Sequence, residues 1–124
     1  MLSELATLCR AEGLALSGSN LEVRFSSGRR HRVAITEAPD HYLLSAVVVR
    51  RAVLGSLEQP EIWAWRRNRV SALVGFRVDR RGRLLAESWV PRPGLTSEEF
   101  QVYARNLAAE ADRVEHLLSG RDTE

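Results

Sequence analysis

The stretch Val70-Ser-Ala-Leu-Val-Gly-Phe-Arg-Val78 alternates along the chain so that Val70, Ala72, Val74, Phe76 and Val78 share one face. This is the pattern of a β-strand that is half buried. Asp79-Arg-Arg-Gly82 follows, with Asp and Gly at the positions typical of a type I turn and a left-handed glycine. Residues 83–90 then return as a second strand. The segment therefore predicts an antiparallel hairpin, from which the rest of the architecture can be worked out.

A long helix is predicted directly after this hairpin. Thr96-Ser-Glu-Glu99 matches a capping box, in which the Thr and Glu side chains satisfy each other's backbone amides. Gly120 is a natural stop, and we expect residues 121–124 to form a frayed tail. Apolar residues recur every three or four positions and predict one buried face: Phe100, Tyr103, Leu107, Ala111, Val114 and Leu118.

The chain before the hairpin reads as a short helix and then three strands. Ser3 can cap the helix, and Gly13 is predicted to end it. Alternating residues predict the first two strands at 21–25 and 32–36, joined by a turn at 26–29.

The third of these strands, from about His41 to Arg50, is apolar on both faces. One face carries Tyr42, Leu44, Ala46 and Val48, and the other carries Leu43, Val47 and Val49. Strands with this composition are covered on both sides. We predict that Leu43, Val47 and Val49 form the seam of a homodimer; the alternative is a central strand buried by the protein's own helices.

Residues 57–67 are predicted to be helical, with Pro60 near the first turn. Trp63 and Trp65 would then lie about 200° apart around the helix and could not share a face. In the alternative, residues 62–65 form a strand with both indoles on one side.

The predicted order is therefore α-β-β-β-α-β-β-α. Two blocks of consecutive antiparallel strands favour an α+β fold with the helices on one face of the sheet. With 124 residues the chain suits one domain, which we place at residues 1–120. No apolar run is long enough to cross a bilayer and no signal peptide is expected, so we predict a cytoplasmic protein.

Charge is distributed unevenly along the chain. Residues 63–95 contain eight Arg and two acids, net +6, whereas residues 96–124 contain three Arg and seven acids, net −4. Residues 1–62 are neutral, so the total is the formal +2. A basic middle and an acidic final helix can attract each other within one fold or across a dimer.

The sequence offers no motif for catalysis, a cofactor or a metal. His31, His41 and His116 lie on separate predicted elements without ligand spacing, and Cys9 is the only cysteine. If His31 and His41 met across adjacent strands, we would expect a hydrogen-bonded pair. There is no phosphate-binding loop and no nucleophile elbow. We predict a protein that is not an enzyme, with no catalytic, cofactor-binding or metal-binding residues.

Four stretches together resemble the YbjN-like domain family, which shares its fold with the class I type III secretion chaperones. They cover nearly the whole chain, from about Leu2 to Gly120: Gly28-Arg-Arg-His-Arg-Val33, Trp65-Arg-Arg-Asn68, Val78-Asp-Arg-Arg-Gly-Arg-Leu84, and Gly94 to Phe100 with Ala111-Asp-Arg-Val-Glu115. The resemblance implies a small bacterial protein that is not an enzyme, is usually dimeric and binds other proteins. It transfers no catalytic residue.

We therefore predict a dimeric, chaperone-like adaptor for a protein partner. Tryptophan beside arginine is a common composition of protein-binding hot spots. The predicted partner-binding residues are Trp63, Arg66, Arg67, Arg69, Arg77 and Trp89. One alternative is a nucleic-acid-associated protein that uses the Arg-rich segment 63–95. Another is an enzyme or small-ligand sensor with a closed pocket.

Overall fold

The computed structural model describes residues 4–49, 64, 67 and 74–119. These residues form six strands and two helices, and Ala64 and Arg67 are also helical. In chain order the elements are α1 (Glu4–Leu8), β1 (Leu14–Ser17), β2 (Asn20–Arg24), β3 (Arg30–Glu37), β4 (His41–Val49), β5 (Gly75–Val78), β6 (Leu84–Pro91) and α2 (Ser97–Ser119).

The strands form one antiparallel sheet in the order β1-β2-β3-β4-β6-β5. β4 is central because it pairs with β3 on one side and with β6 on the other. The predicted hairpin is confirmed: Gly82 has φ 78°, and its amide donates to the Asp79 carbonyl at 3.0 Å. β5 begins at Gly75, and residues 70–73 lie outside the described part of the chain.

The core lies between one face of this sheet and the two helices. Alternate residues of β2, β3, β4 and β6 point inward and meet the apolar stripe of α2, as the periodicity predicted. Tyr42 is fully buried and packs edge-on against Phe100, with ring centroids 5.8 Å apart. The other fully buried large side chains are Leu21, Val23, Val33, Leu44, Val48, Leu84, Leu107, Val90 and Val114.

The capping box at the start of α2 is also confirmed. The amide of Glu99 donates to the Thr96 hydroxyl at 3.2 Å, and the amide of Thr96 donates to Glu99 Oε1 at 3.1 Å. The helix therefore begins where its own side chains replace the missing backbone partners.

Three details differ from the sequence prediction. A short edge strand, β1, precedes the first predicted strand and pairs with β2 through a turn at Gly18 and Ser19. α1 ends at Leu8, so Gly13, with φ 83°, belongs to the turn before β1 and does not end the helix. Val49 is 4% exposed and belongs to the core, because a β-bulge between Val47 and Val49 breaks the alternation.

Candidate functional site

The sheet face opposite α2 is the surface on which the predicted site residues meet; we call it the outer sheet face. α2 packs against the inward side chains, and α1 joins the same core, so both helices lie on the other side. The outer sheet face is formed by Arg32, Ala34, Leu43, Ser45, Val47, Arg77, Leu85, Glu87 and Trp89.

Apolar side chains of two adjacent strands lie on this face as cross-strand pairs. In the β4–β6 register Leu43 lies opposite Trp89, and Val47 lies opposite Leu85. Trp89 is 55% exposed and Val47 is 38% exposed, whereas Leu43 is half-buried and Leu85 is buried. The polar pair of Ser45 and Glu87 lies between the two apolar pairs, so the face carries two separate apolar contacts.

The exposed indole of Trp89 is held in place by a neighbouring ring. His41 stacks on it with ring centroids 5.0 Å apart and an interplanar angle of 25°. His41 Nδ1 also lies 2.7 Å from Asp40 Oδ1, and this hydrogen bond lowers the pKa of the Asp40 carboxyl. The stacked imidazole covers one face of the indole and leaves the rest of the ring exposed.

Charged residues lie between and beside the apolar pairs. Arg77 Nε donates to Glu87 Oε1 at 2.8 Å, and this bond raises the pKa of Arg77. Arg32 is exposed beside Val47 and has no acid within ion-pair distance among residues 4–49, 64, 67 and 74–119. Tryptophan, aliphatic residues and arginine on one face are the residue types enriched at protein-binding hot spots.

Several arginines of segment 63–95 already have acidic partners within the chain. Each pair lies at 2.6–2.8 Å: Arg67 with Glu110, Arg77 with Glu87, Arg83 with Asp79 and Arg92 with Glu4. Half of the eight arginines of the segment are thus neutralised internally.

Arg67, one of the predicted partner-binding residues, joins the middle of the chain to α2. Its side chain is 20% exposed, donates to Glu110 at 2.6 Å, and has an Nε without a hydrogen-bond partner among the described residues. Arg113 donates to the other oxygen of Glu110. Burial alone would raise the pKa of the Glu110 carboxyl, but hydrogen bonds from Arg113 and Arg67 outweigh it and hold the pKa below 4.5.

Some of the predicted partner-binding residues and some of the predicted dimer residues therefore lie on the same surface. Trp89 and Arg77, predicted to bind a partner, share the outer sheet face with Leu43 and Val47, predicted to form a dimer seam. Val49 lies in the core and Arg67 lies against α2. Trp63, Arg66 and Arg69 lie outside the described residues.

Neither Leu85 nor a second polar cluster was predicted from the sequence. His31, on β3, lies beside Asp112 and Glu115 of α2, with their ligand atoms within 4.8 Å of one another. These residues are distant in the chain and come together only through packing of the helix on the sheet. His31 does not meet His41: His31 lies near the start of β3, whereas the His41 carbonyl accepts from the amide of Ala38, just beyond the end of that strand.

Among the described residues, no helix combines the length and apolar character that crossing a bilayer requires.

Cys9 is buried in the core, and burial raises the pKa of its thiol to about 11.

Comparison with known proteins finds a solved structure with a similar fold. No family model matches the chain, and no curated protein matches it in sequence. The chain is similar in structure to a chain of the crystal structure of the ExsC–ExsE complex, with a TM-score of 0.61 and 23% sequence identity over 93% of this chain and 88% of that one. This likeness confirms the predicted α+β fold of the type III secretion chaperone kind.

Proposed function

We propose that this chain is a chaperone-like module that is not an enzyme and that binds a protein partner through its outer sheet face. The observation that carries the proposal is two apolar cross-strand pairs, Leu43 with Trp89 and Val47 with Leu85, on a face that neither α1 nor α2 covers. A solvated antiparallel sheet face is ordinarily polar, and a partner that covered both pairs would remove Trp89 and Val47 from water.

The structural likeness points in the same direction. A solved structure with this fold is that of a complex, ExsC–ExsE. A fold found in a complex with a protein supports a protein-binding role for this chain, although fold alone does not determine function.

The chemistry of the patch indicates what kind of segment it would bind. Trp89 and Val47 supply apolar contact area. Arg32 has no acidic partner among the described residues, so its guanidinium can pair with a carboxylate of the bound segment. The best fit is a segment with aliphatic or aromatic side chains flanked by acids. Trp63, Arg66 and Arg69 stay proposed as additional contacts.

Homodimer formation through the same strands is a separate proposal with a specific consequence. A chain that covers Leu43 also covers Trp89, because the two residues are directly opposed in the sheet. A second copy and a different partner would therefore compete for the outer sheet face. Membership of the YbjN-like family and a cytoplasmic location in bacteria are likewise proposed on the sequence resemblance.

The nucleic-acid alternative has less in its favour. Arg67, Arg77, Arg83 and Arg92 are already paired with acids, which reduces the charge available to phosphates. A titration with single- and double-stranded oligonucleotides at low salt tests it; tight binding that weakens steeply with salt would favour it over protein binding.

The protein-binding proposal is tested by partner capture with matched variants. Trp89→Ala removes the most exposed large apolar side chain of the outer sheet face, and Val102→Ala removes an apolar side chain that is 57% exposed on α2. A partner captured from the source cell by the unmodified chain is purified and titrated against all three proteins. We expect Trp89→Ala to weaken binding at least tenfold and Val102→Ala to leave it unchanged. Equal affinity of all three would refute this surface.

A further inference from the structure

A cluster of three possible metal ligands, His31 of β3 with Asp112 and Glu115 of α2, lies where the helix packs on the sheet. One ring nitrogen of His31 and one carboxylate oxygen each from Asp112 and Glu115 lie within 4.8 Å of one another. Asp112 is 5% exposed, and His31 and Glu115 are half-buried. Asp112 and Glu115 are three residues apart on α2, so both carboxylates project from one side of the helix.

One hydrogen bond indicates which ring nitrogen of His31 is the donor. His31 Nε2 lies 3.1 Å from the Val47 carbonyl oxygen, which can only accept. Nε2 therefore carries a hydrogen, and Nδ1 is the nitrogen whose lone pair would bind a metal ion. Metal-binding histidines ordinarily donate their second ring N–H to a carbonyl or carboxylate in this way.

Asp112 also has the support expected of a metal ligand. Arg29 donates to its Oδ2 at 2.7 Å. A carboxylate has about four lone-pair sites, so this bond leaves acceptor capacity for a cation. The arginine would hold the carboxylate in one orientation, as hydrogen-bond donors around metal sites do.

The two carboxylates of the cluster differ in their basic neighbours. Asp112 Oδ2 pairs with Arg29 at 2.7 Å, and Asp112 Oδ1 lies 3.7 Å from Nδ1 of His116, one turn further along α2. Glu115 has no arginine within ion-pair distance among the described residues. A half-buried carboxylate beside a second one is stabilised by an additional cation.

We propose that His31, Asp112 and Glu115 bind one divalent transition-metal ion of the Zn²⁺ class, which joins β3 to α2. One imidazole and two carboxylates favour Zn²⁺ and its neighbours over Mg²⁺ and Ca²⁺, which prefer oxygen ligands. Zn–N and Zn–O bonds of about 2.0–2.2 Å place tetrahedral ligands about 3.4 Å apart, so the side chains close in by about an ångström on binding. Water fills the fourth position.

An ion can reach this site from solvent. A cleft of about 570 Å³ is lined by both His31 and Glu115, together with Arg83 and Val47. The ion would link β3 to α2 through the side chain of His31, which points to the inner face of the sheet. Because the cleft is also lined by Arg32, Val47 and Leu85, it adjoins the outer sheet face.

The test is calorimetric titration of the metal-free chain with Zn²⁺, with thermal unfolding measured in parallel. We expect one ion per chain and a rise of several degrees in Tm, since an ion that binds the folded chain stabilises it. His31→Gln and Glu115→Gln should each weaken Zn²⁺ binding at least tenfold and remove the shift in Tm. His41→Gln is the control, since His41 lies at the other end of β3 beside Asp40.

Circular dichroism of each variant establishes that it is folded before titration. Glu115→Gln keeps the size of a half-buried side chain, so the test holds even if His31→Gln proves unstable. The proposal is overturned if the unmodified chain neither binds Zn²⁺ nor gains stability, or if Glu115→Gln binds as tightly as the unmodified chain. It is also overturned if His41→Gln abolishes binding, which would place the ion at His41 and Asp40.

Discussion

Leu43 and Trp89 lie directly opposite each other on the outer face of the sheet, although they belong to strands far apart in the chain. This pairing joins a residue predicted to form a dimer seam to one predicted to bind a partner. The exposed indole thereby gains an aliphatic neighbour, and the pair of Ser45 and Glu87 separates it from the second apolar pair, Val47 and Leu85.

Replacement of Glu110 should destabilise the fold. Glu110→Gln leaves Arg67 and Arg113 without their charged acceptor, and the Arg67 side chain is only 20% exposed. We expect the free energy of unfolding to fall by about 1–3 kcal/mol in urea titrations. Glu12→Gln, at an exposed position without an ion pair among the described residues, is the control and should stay within about 0.5 kcal/mol. Equal stability of the two variants would contradict the structural role of Glu110.

The same carboxylate should make stability depend on pH. Its pKa is below 4.5 in the folded chain, so the unfolded chain takes up the proton first as the pH falls. The stabilisation is complete above about pH 4.5 and is lost as the pH falls through the lower folded pKa. Between pH 7 and about pH 3.5 the unmodified chain should lose more stability than Glu110→Gln. A parallel loss in both proteins would show that Glu110 contributes nothing to acid unfolding.

Thr96 should contribute to stability through the capping box. Thr96→Ala removes the oxygen that accepts from the Glu99 amide at 3.2 Å, at an expected cost of about 1 kcal/mol in the free energy of unfolding. Thr96→Ser keeps the hydroxyl and should retain most of the stability. If the serine variant is as unstable as the alanine variant, the hydroxyl is not what matters.

Cys9 should be unreactive in the folded chain. Its side chain is 4% exposed, and burial raises the pKa of its thiol to about 11. Modification by a thiol reagent at about pH 8 should be at least tenfold slower in buffer than in denaturant. Similar rates in both would show that the first helix is not packed as described.

The local elements of the fold were readable from the sequence. Asp79 and Gly82 marked the hairpin because the turn needs their particular conformations, and Thr96 with Glu99 marked the start of α2. β1 was missed because it is a four-residue edge strand, although Gly18-Ser19 was a usable turn signal.

The candidate sites were only partly readable, because they depend on which strands become neighbours. β4 pairs with β6 across the described sheet, and nothing local to Leu43 specifies Trp89 as its partner. Val49 was misassigned because a bulge cannot be read from alternation alone. His31 and Glu115 meet only when α2 lies across β3.

In the proposed complex, a protein partner covers the outer sheet face. Hydroxyl-radical footprinting of the purified complex, read by mass spectrometry, measures this directly without any substitution. We expect oxidation of Trp89 to fall at least fivefold in the complex, since its exposed indole reacts readily in the free chain, while labelling of Val102 on α2 stays unchanged. Unchanged oxidation of Trp89 in a saturated complex would contradict the account.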